Sequence, residues 1–225
     1  MEVIVISIGA LAKNSVWGEK TPLRTSHATT SLIKTGNELI LVDPALPAPA
    51  LEARLFERTG LKPDAITQVF LTNWRPAHRR ALTLFSKARW FMHADEIAAA
   101  TNALHEAQRY ADEAAGTDAQ VLADELKLLE RMQSAPDEIA DDISLFPLPG
   151  YSPGQCGLLI SLPTSTVLIA GDAVPTGAHF AAGQVFQECF DIRRATDSLA
   201  EVYEIADQII PGHDNIFVNP RTSGI

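Results

Sequence analysis

Short apolar segments that each end at a polar loop constrain the fold of this sequence more than any other feature. Strand-like segments run into Asp43, into the loop at residues 72–78 and into the turn at residues 150–155. Two later segments end in the pairs Gly171-Asp172 and Gly212-His213. Polar side chains after strands are typical of sites that a rigid scaffold presents on its loops. If these loops share one sheet edge, three candidate functional side chains converge there: His78, Asp172 and His213.

The order of the predicted elements favours sheets sandwiched by helices. Three strands come first, and helix and strand then alternate, so we expect one domain over residues 1–225. Pro49 and Gly60 stand where a helix starts and is capped. The predicted strands are 3–8, 29–35, 38–42, 66–71, 89–92, 143–148, 157–162, 166–170 and 208–210. The predicted helices are 50–59, 78–86 and 195–206, and residues 219–225 are expected to form a loose tail.

A helical insert is predicted at about residues 94–132, where Ala, Glu, Asp, Gln and Leu dominate. It divides into two helices with a break near Gly116-Thr117. The second helix carries one amphipathic stripe of Val121, Leu122, Leu126, Leu128, Leu129 and Met132. The stripe covers either its own domain or a second subunit. Because the apolar positions of the first helix are sparse, we expect a homodimer.

Charge and cysteine content exclude several classes of protein. Lys plus Arg is 18 and Asp plus Glu is 28, which gives a formal net charge of −10. Without a basic face, binding to nucleic acid or to an anionic membrane is not expected. Cys156 and Cys189 are too few for a disulfide framework, and there is no basic, apolar leader and no membrane-length apolar run. These features predict a cytoplasmic protein.

The order of the polar loops resembles the metallo-beta-lactamase superfamily from about residue 29 to residue 214. That family has a strand-terminal Asp, a His-x-His-x-Asp-His loop, a Pro-Gly-His-Thr-Pro-Gly-His turn, and strands ending in Gly-Asp and Gly-His. The matching segments here are Leu41-Val42-Asp43, Asn73 to His78, Pro149 to Gln155, Gly171-Asp172 and Gly212-His213. The resemblance implies an α/β (α+β) fold, a four-layer αββα sandwich, with a metal site at one edge between the sheets.

Several departures from the family motifs indicate a degenerate metal site. Asn73 and Arg75 replace the first two histidines, Ala77 replaces the loop Asp, and Tyr151 replaces the turn His. A guanidinium has no lone pair to give to a metal ion. The first metal position therefore loses its histidines, and we expect at most one metal ion per chain. The resemblance implies that the second position keeps three ligands: His78, Asp172 and His213.

Two interpretations of the degenerate site stay open. In one, the three ligands hold a single zinc or other divalent transition metal, which activates water for hydrolysis of an ester, thioester, lactone or phosphoester. In the other, no metal binds, and Arg75 replaces the metal charge by pairing with Asp172. The protein would then be a non-catalytic relative that binds a small ligand or a partner. The sequence does not identify the substrate.

Further side chains are candidates for contact with the substrate or for charge replacement: Asn73, Trp74, Arg75, Tyr151 and His179. Trp74 is the favoured aromatic contact, because it lies in a polar loop. Asp43 is expected to support a metal ligand rather than to bind the metal. Cys156, beside an apolar strand, is expected to pack as a small hydrophobic residue.

Overall fold

Two six-stranded sheets form the centre of the molecule. A computed structural model describes residues 1–113 and 118–223. The first sheet contains, in spatial order, β1 (Glu2–Ser7), β2 (Thr30–Thr35), β3 (Glu38–Val42), β4 (Gln68–Phe70), β5 (Arg89–Met92) and β6 (Gln133–Ser134). Its first three strands are antiparallel, and β3 to β6 are parallel. The sheet is therefore mixed.

The second sheet is also mixed and comes from the second half of the chain. Its strands are β7 (Glu138–Ala140), β8 (Ile143–Pro147), β9 (Cys156–Leu162), β10 (Ser165–Gly171), β11 (Gln208–Pro211) and β12 (Phe217–Val218), in the spatial order 12-11-10-9-8-7. Only β10 and β11 pair in parallel. Both therefore end at the same edge of the sheet, where Asp172 and His213 follow them.

Helices cover the outer faces of both sheets. They are α1 (Ala48–Thr59), α2 (Pro76–Arg79), α3 (Ala94–Glu113), α4 (Asp118–Leu129), α5 (Gly177–Ala182) and α6 (Ile192–Ile205). One apolar cluster lies between the sheets, with Phe70 facing Leu158 across it. A second cluster joins the first sheet to α1 and α4, and a third joins the second sheet to α5 and α6. The α+β, four-layer αββα sandwich is confirmed.

Most strand bounds agree with the sequence within two residues, but one predicted helix and the predicted tail need correction. The helix expected at 78–86 is a short α2, which Pro76 opens, followed by a separate 3-10 turn at Leu82–Phe85. The loose tail expected from residue 219 is wrong at its start. Asn219 is buried, and its Nδ2 donates to the carbonyl oxygens of Tyr203 and Ala206, both at 2.8 Å. An Asn side chain thus fixes the chain end against α6.

The helical insert consists of α3 and α4, and the break expected at Gly116-Thr117 lies outside the described residues. The end of the predicted apolar stripe covers the first sheet, because Leu129 and Met132 are buried there. The start of the stripe does not cover the sheet, because Val121 is 63% exposed. The homodimer stays a prediction. None of the described helices is long and apolar enough to cross a membrane.

Candidate metal and substrate site

Two histidines converge on one carboxylate at the edge between the sheets. Nε2 of His78 lies 2.8 Å from Oδ2 of Asp172, and Nε2 of His213 lies 2.9 Å from Oδ1. All three side chains are buried, and one ligand atom from each lies within 4.8 Å of the others. The strand-end loops therefore bring together the three residues that the sequence predicts as ligands.

Asp43 holds His78 from the side opposite Asp172. Its Oδ2 lies 2.9 Å from Nδ1 of His78. The backbone N–H and the hydroxyl of Thr72 donate to its two oxygens at 2.9 and 2.8 Å. These contacts fix the orientation of the imidazole ring.

A backbone carbonyl holds the other histidine. Nδ1 of His213 lies 2.9 Å from the carbonyl oxygen of His27 and donates to it. The sequence could not indicate this role, because any residue at position 27 supplies a carbonyl. Both histidines thus use Nδ1 for a supporting contact and present Nε2 to Asp172. Metal-binding histidines typically have this arrangement.

The carboxylate of Asp172 is incompletely satisfied by the described residues. Its Oδ1 accepts no hydrogen bond from them, since Nε2 of His213 is close but poorly aligned. Burial alone would lower the pKa of His78, but the carboxylates of Asp172 and Asp43 raise it to about 10. The buried site therefore requires positive charge between the carboxylates, either as a proton on His78 or as a metal ion. The three residues fit a divalent metal.

Two glycines allow the close approach of these loops. A Cβ on Gly171 would lie 2.6 Å from Oγ1 of Thr72, and one on Gly212 would lie 2.7 Å from Oδ1 of Asp172. Gly171 also has a φ of 55°, in the region that favours glycine. The Gly-Asp and Gly-His pairs of the sequence thus have a steric origin.

Neutral amides fill the space on the other side of Asp172. Nδ2 of Asn73 donates to Oε1 of Gln155 at 2.9 Å and to Oδ2 of Asp172 at 3.1 Å. Nε2 of Gln155 donates to the carbonyl oxygen of Ala170 at 3.0 Å. Gln155 was not predicted from the sequence, where the turn His of the family was matched to Tyr151 instead. In this orientation the amide nitrogen of Asn73, which has no lone pair for a cation, faces Asp172.

The side chain of Arg75 points away from Asp172 and lies beside Tyr151. It is exposed and forms no ion pair with Asp172 in the described ranges, and its guanidinium lies 5.3 Å from the ring centroid of Tyr151. Its backbone N–H donates to Oδ1 of Asn73 at 2.9 Å. Because Asn73 already supplies the donor beside Asp172, the arginine avoids the cost of burial and stays in solvent.

Trp74 is buried and does not line the cleft described below. The side chain is 8% exposed and packs in the apolar cluster below the first sheet. The guanidinium of Arg79 lies 3.9 Å from its ring centroid and covers one face of the ring. A Trp in a polar loop can still point inward, because its large ring gains more from burial than the loop sequence suggests.

His179 and Tyr151 lie near the triad in different environments. His179 is buried, its Nδ1 is 2.8 Å from Oγ1 of Thr176, and its ring centroid lies 5.8 Å from that of Phe186 with the rings tilted by 55°. Burial lowers the pKa of His179. Tyr151 lines the cleft described below. Burial and the neighbouring Asp172 carboxylate raise the pKa of Tyr151 well above its usual range, so the hydroxyl stays protonated.

Glu96, in the first turn of α3, joins the two loops that carry Asn73 and Gln155. Its Oε1 accepts from the backbone N–H of Trp74 at 3.0 Å, and its Oε2 accepts from the hydroxyl of Ser152 at 2.6 Å and the N–H of Gly154 at 3.1 Å. The side chain is 4% exposed. A single Glu at a helix start gave no sequence signal for this role.

A cleft of about 570 Å³ opens above the triad. Asp172 and His213 line it, and its walls include Lys13, Arg75, Tyr151 and Glu188. One wall is the loop between β1 and β2, closed by backbone pairing of Ala10 with His27. The site is therefore accessible to a small molecule.

Comparisons with solved structures show the same fold. AidC, a dizinc quorum-quenching lactonase in complex with its product, aligns with a TM-score of 0.66 and 19% identity over 83% of this chain and 72% of that chain. A candidate metallo-beta-lactamase from Thermotoga maritima aligns at 0.68 and 18% identity over 96% and 98%. An N-acyl homoserine lactone hydrolase with its product at the catalytic metal centre aligns at 0.64 and 21% identity over 94% and 92%.

The family is identified from the sequence. No curated protein matches the chain. The profile of the metallo-beta-lactamase superfamily, however, matches residues 23–213, a range that contains the three converging side chains. The chain belongs to the metallo-beta-lactamase superfamily.

Proposed function

We propose that the protein is a hydrolase that uses one divalent metal ion, held by His78, Asp172 and His213. The observation that carries the proposal is the shared arrangement of the two histidines. Each fixes its Nδ1 on an oxygen acceptor and presents Nε2 to the same buried carboxylate. Two imidazoles and one carboxylate leave coordination positions open, as in hydrolytic zinc sites.

The metal ion would lower the pKa of a water molecule to roughly 7 and supply hydroxide for attack on a carbonyl or phosphoryl centre. The remaining tasks belong to the protein. Asp43 and the His27 carbonyl keep both imidazoles in the tautomer whose Nε2 is free to bind. Tyr151, which stays protonated, can donate a hydrogen bond to an oxygen of the substrate.

We propose an ester, thioester, lactone or phosphoester of small size as the substrate. The lactonases among the structural relatives favour the lactone or ester class. One relative is a dizinc enzyme, whereas the Asn73–Gln155 amide pair supports a single ion here. A single ion makes turnover by a two-metal mechanism unavailable, so β-lactamase or glyoxalase-type hydrolysis is expected to be weak.

Metal content and hydrolysis together test the proposal. Protein that has been stripped with chelator and dialysed against zinc should hold about one zinc per chain by elemental analysis and should hydrolyse 4-nitrophenyl acetate or a γ-lactone. His213→Gln should lose both properties. His93→Gln, which changes a histidine outside the site, should keep both. Absence of zinc, or two zinc ions per chain, would contradict the proposal.

A non-catalytic ligand-binding role is the second candidate, because one observation favours it. With a proton on each ring nitrogen, His78 can donate to Asp43 and Asp172 at 2.9 and 2.8 Å and balance the buried charge without a metal. In that case the stripped protein should take up no zinc, and its melting temperature should be the same with zinc and with chelator. A metal-binding triad would instead give a higher melting temperature with zinc.

A further inference from the structure

The cleft above the triad carries two cations that form no ion pair with a carboxylate of the described residues. Lys13 and Arg75 line it, both are exposed, and neither forms an ion pair within residues 1–113 and 118–223. Besides Asp172, the described lining of the cleft contains one acid, Glu188. Its side chain is exposed and forms no ion pair with Lys13 or Arg75. These cations stand out because the whole chain has a net charge of −10.

Arg75 is held in place relative to the triad. Its backbone N–H donates to Oδ1 of Asn73, whose Nδ2 donates to Asp172. Its guanidinium lies over the ring of Tyr151 at 5.3 Å from the centroid. One amide side chain thus links the Arg75 backbone to the carboxylate, and the Tyr151 ring limits the positions of the guanidinium.

Lys13 approaches the same cleft from an anchored loop. The next residue, Asn14, is buried, its Oδ1 accepts from Val16 N at 3.1 Å, and its own N–H donates to Glu19 at 2.7 Å. Pairing of Ala10 with His27 closes the base of the loop. The lysine is therefore carried by an ordered turn and not by a loose segment.

We infer that the cleft binds a substrate that carries an anionic acid group, a carboxylate or a phosphate, on Arg75 and Lys13. A guanidinium matches either oxyanion with two parallel hydrogen bonds, and a lysine adds a point charge. The acid group lies on the solvent side of the cleft, and the remainder of the molecule reaches Asp172 and His213 at its base. This inference rests on the proposed function for the identity of the ligand as a substrate.

Calorimetric titration of metal-free protein at low ionic strength tests the inference without turnover. The probes are monomethyl succinate and methyl phosphate, which are anionic, and dimethyl succinate, which is neutral. At least one anion should bind tenfold more tightly than the neutral diester, and the tighter of the two anions identifies the acid group. Arg75→Gln should weaken the binding of that anion about tenfold and leave the diester unchanged. Lys13→Gln should have a smaller effect of the same kind.

Arg58→Gln is the matched control, because it removes the same charge from an exposed residue of α1 that does not line the cleft. Equal binding of the anions and the diester, or equal losses in the Arg75 and Arg58 variants, would overturn the inference. The zinc content tests the proposed function separately, because the titration uses metal-free protein. A failure of one proposal can therefore be told from a failure of the other.

Discussion

Asp43 adopts a left-handed backbone conformation, with a φ of 50°, and its carboxylate accepts three hydrogen bonds. Among the described residues, one other non-glycine residue has a positive φ. It is Asp142, with a φ of 61° and an exposed side chain. Both positions tolerate Asp because its short polar side chain fits this region. Only at position 43 does the conformation serve a site, by aiming the carboxylate at His78.

Asp43→Asn should weaken zinc binding about 10- to 100-fold, because the amide no longer provides a charged acceptor for Nδ1 of His78. Competition with a chromogenic chelator measures the affinity. Asp142→Asn is the control with the same chemical change and the same backbone conformation, and it should bind zinc as the wild type does. Equal affinities in the two variants would show that Asp43 does not act through His78.

Substitutions at Gly171 and Gly183 can distinguish the cost of steric crowding from the cost of backbone strain. Both have positive φ, 55° and 62°, but an added Cβ meets neighbours only at position 171. Gly183→Ala should cost about 1 kcal/mol of unfolding free energy from backbone strain alone. Gly171→Ala should cost at least about 1 kcal/mol more, because Thr72 and Gln155 must move. Urea denaturation measures both losses, and equal losses would contradict the proposed steric role.

At the scale of elements, the start of α3 supports both site loops. The Glu96 carboxylate accepts hydrogen bonds from the 73–75 loop and the 149–155 turn. A Cβ on Gly154 would meet the backbone N of Glu96 at 2.0 Å, so helix and turn are in direct contact. The helical insert thus has a structural connection to the site that its alanine-rich composition does not suggest.

Glu96→Gln should lower the free energy of unfolding by about 1–3 kcal/mol, since the amide NH2 group would face donors in place of an acceptor. Asp95→Asn is the control. Its side chain is 76% exposed, and the change should stay within about 0.5 kcal/mol. Urea denaturation at one pH compares the two, and similar small losses would rule out a supporting role for Glu96.

Elements with a strong pattern could be predicted from the sequence, and contacts that depend on side-chain direction could not. The strands at 38–42 and 166–170 and the triad followed from apolar runs and the loops after them. The inward turn of Trp74 and the outward turn of Arg75 could not be predicted, because neighbours in a loop have no fixed period. Gln155 was missed because the turn repeats the Pro-Gly pair, so either of two positions could face the site.

At the scale of the whole molecule, the partly covered helix α4 leads us to expect a homodimer. Val121 is 63% exposed and Tyr110, on α3, is 65% exposed, while Leu129 is buried in the parent domain. Pairing about a two-fold axis would remove such side chains from water. We therefore expect light scattering at tens of micromolar to give twice the chain mass of 24.4 kDa.

Val121→Glu should shift the dimer toward monomer without harm to the fold, because the side chain is exposed in the single chain. Gln120→Glu adds the same charge one residue earlier, at another exposed position, and should leave the mass unchanged. A monomeric wild type would contradict the predicted dimer. A dimer equally strong in both variants would show that the interface lies elsewhere.

The contact between His213 and the carbonyl of His27 joins parts of the chain 186 residues apart. A second link there runs from the Thr29 N–H to the carbonyl of Gly212. During synthesis, a nascent chain emerges with His27 and His78 long before β11 leaves the ribosome. Contacts of such sequence separation form slowly. The His78–Asp172–His213 triad is therefore completed late in synthesis, and a chain released before β11 lacks His213.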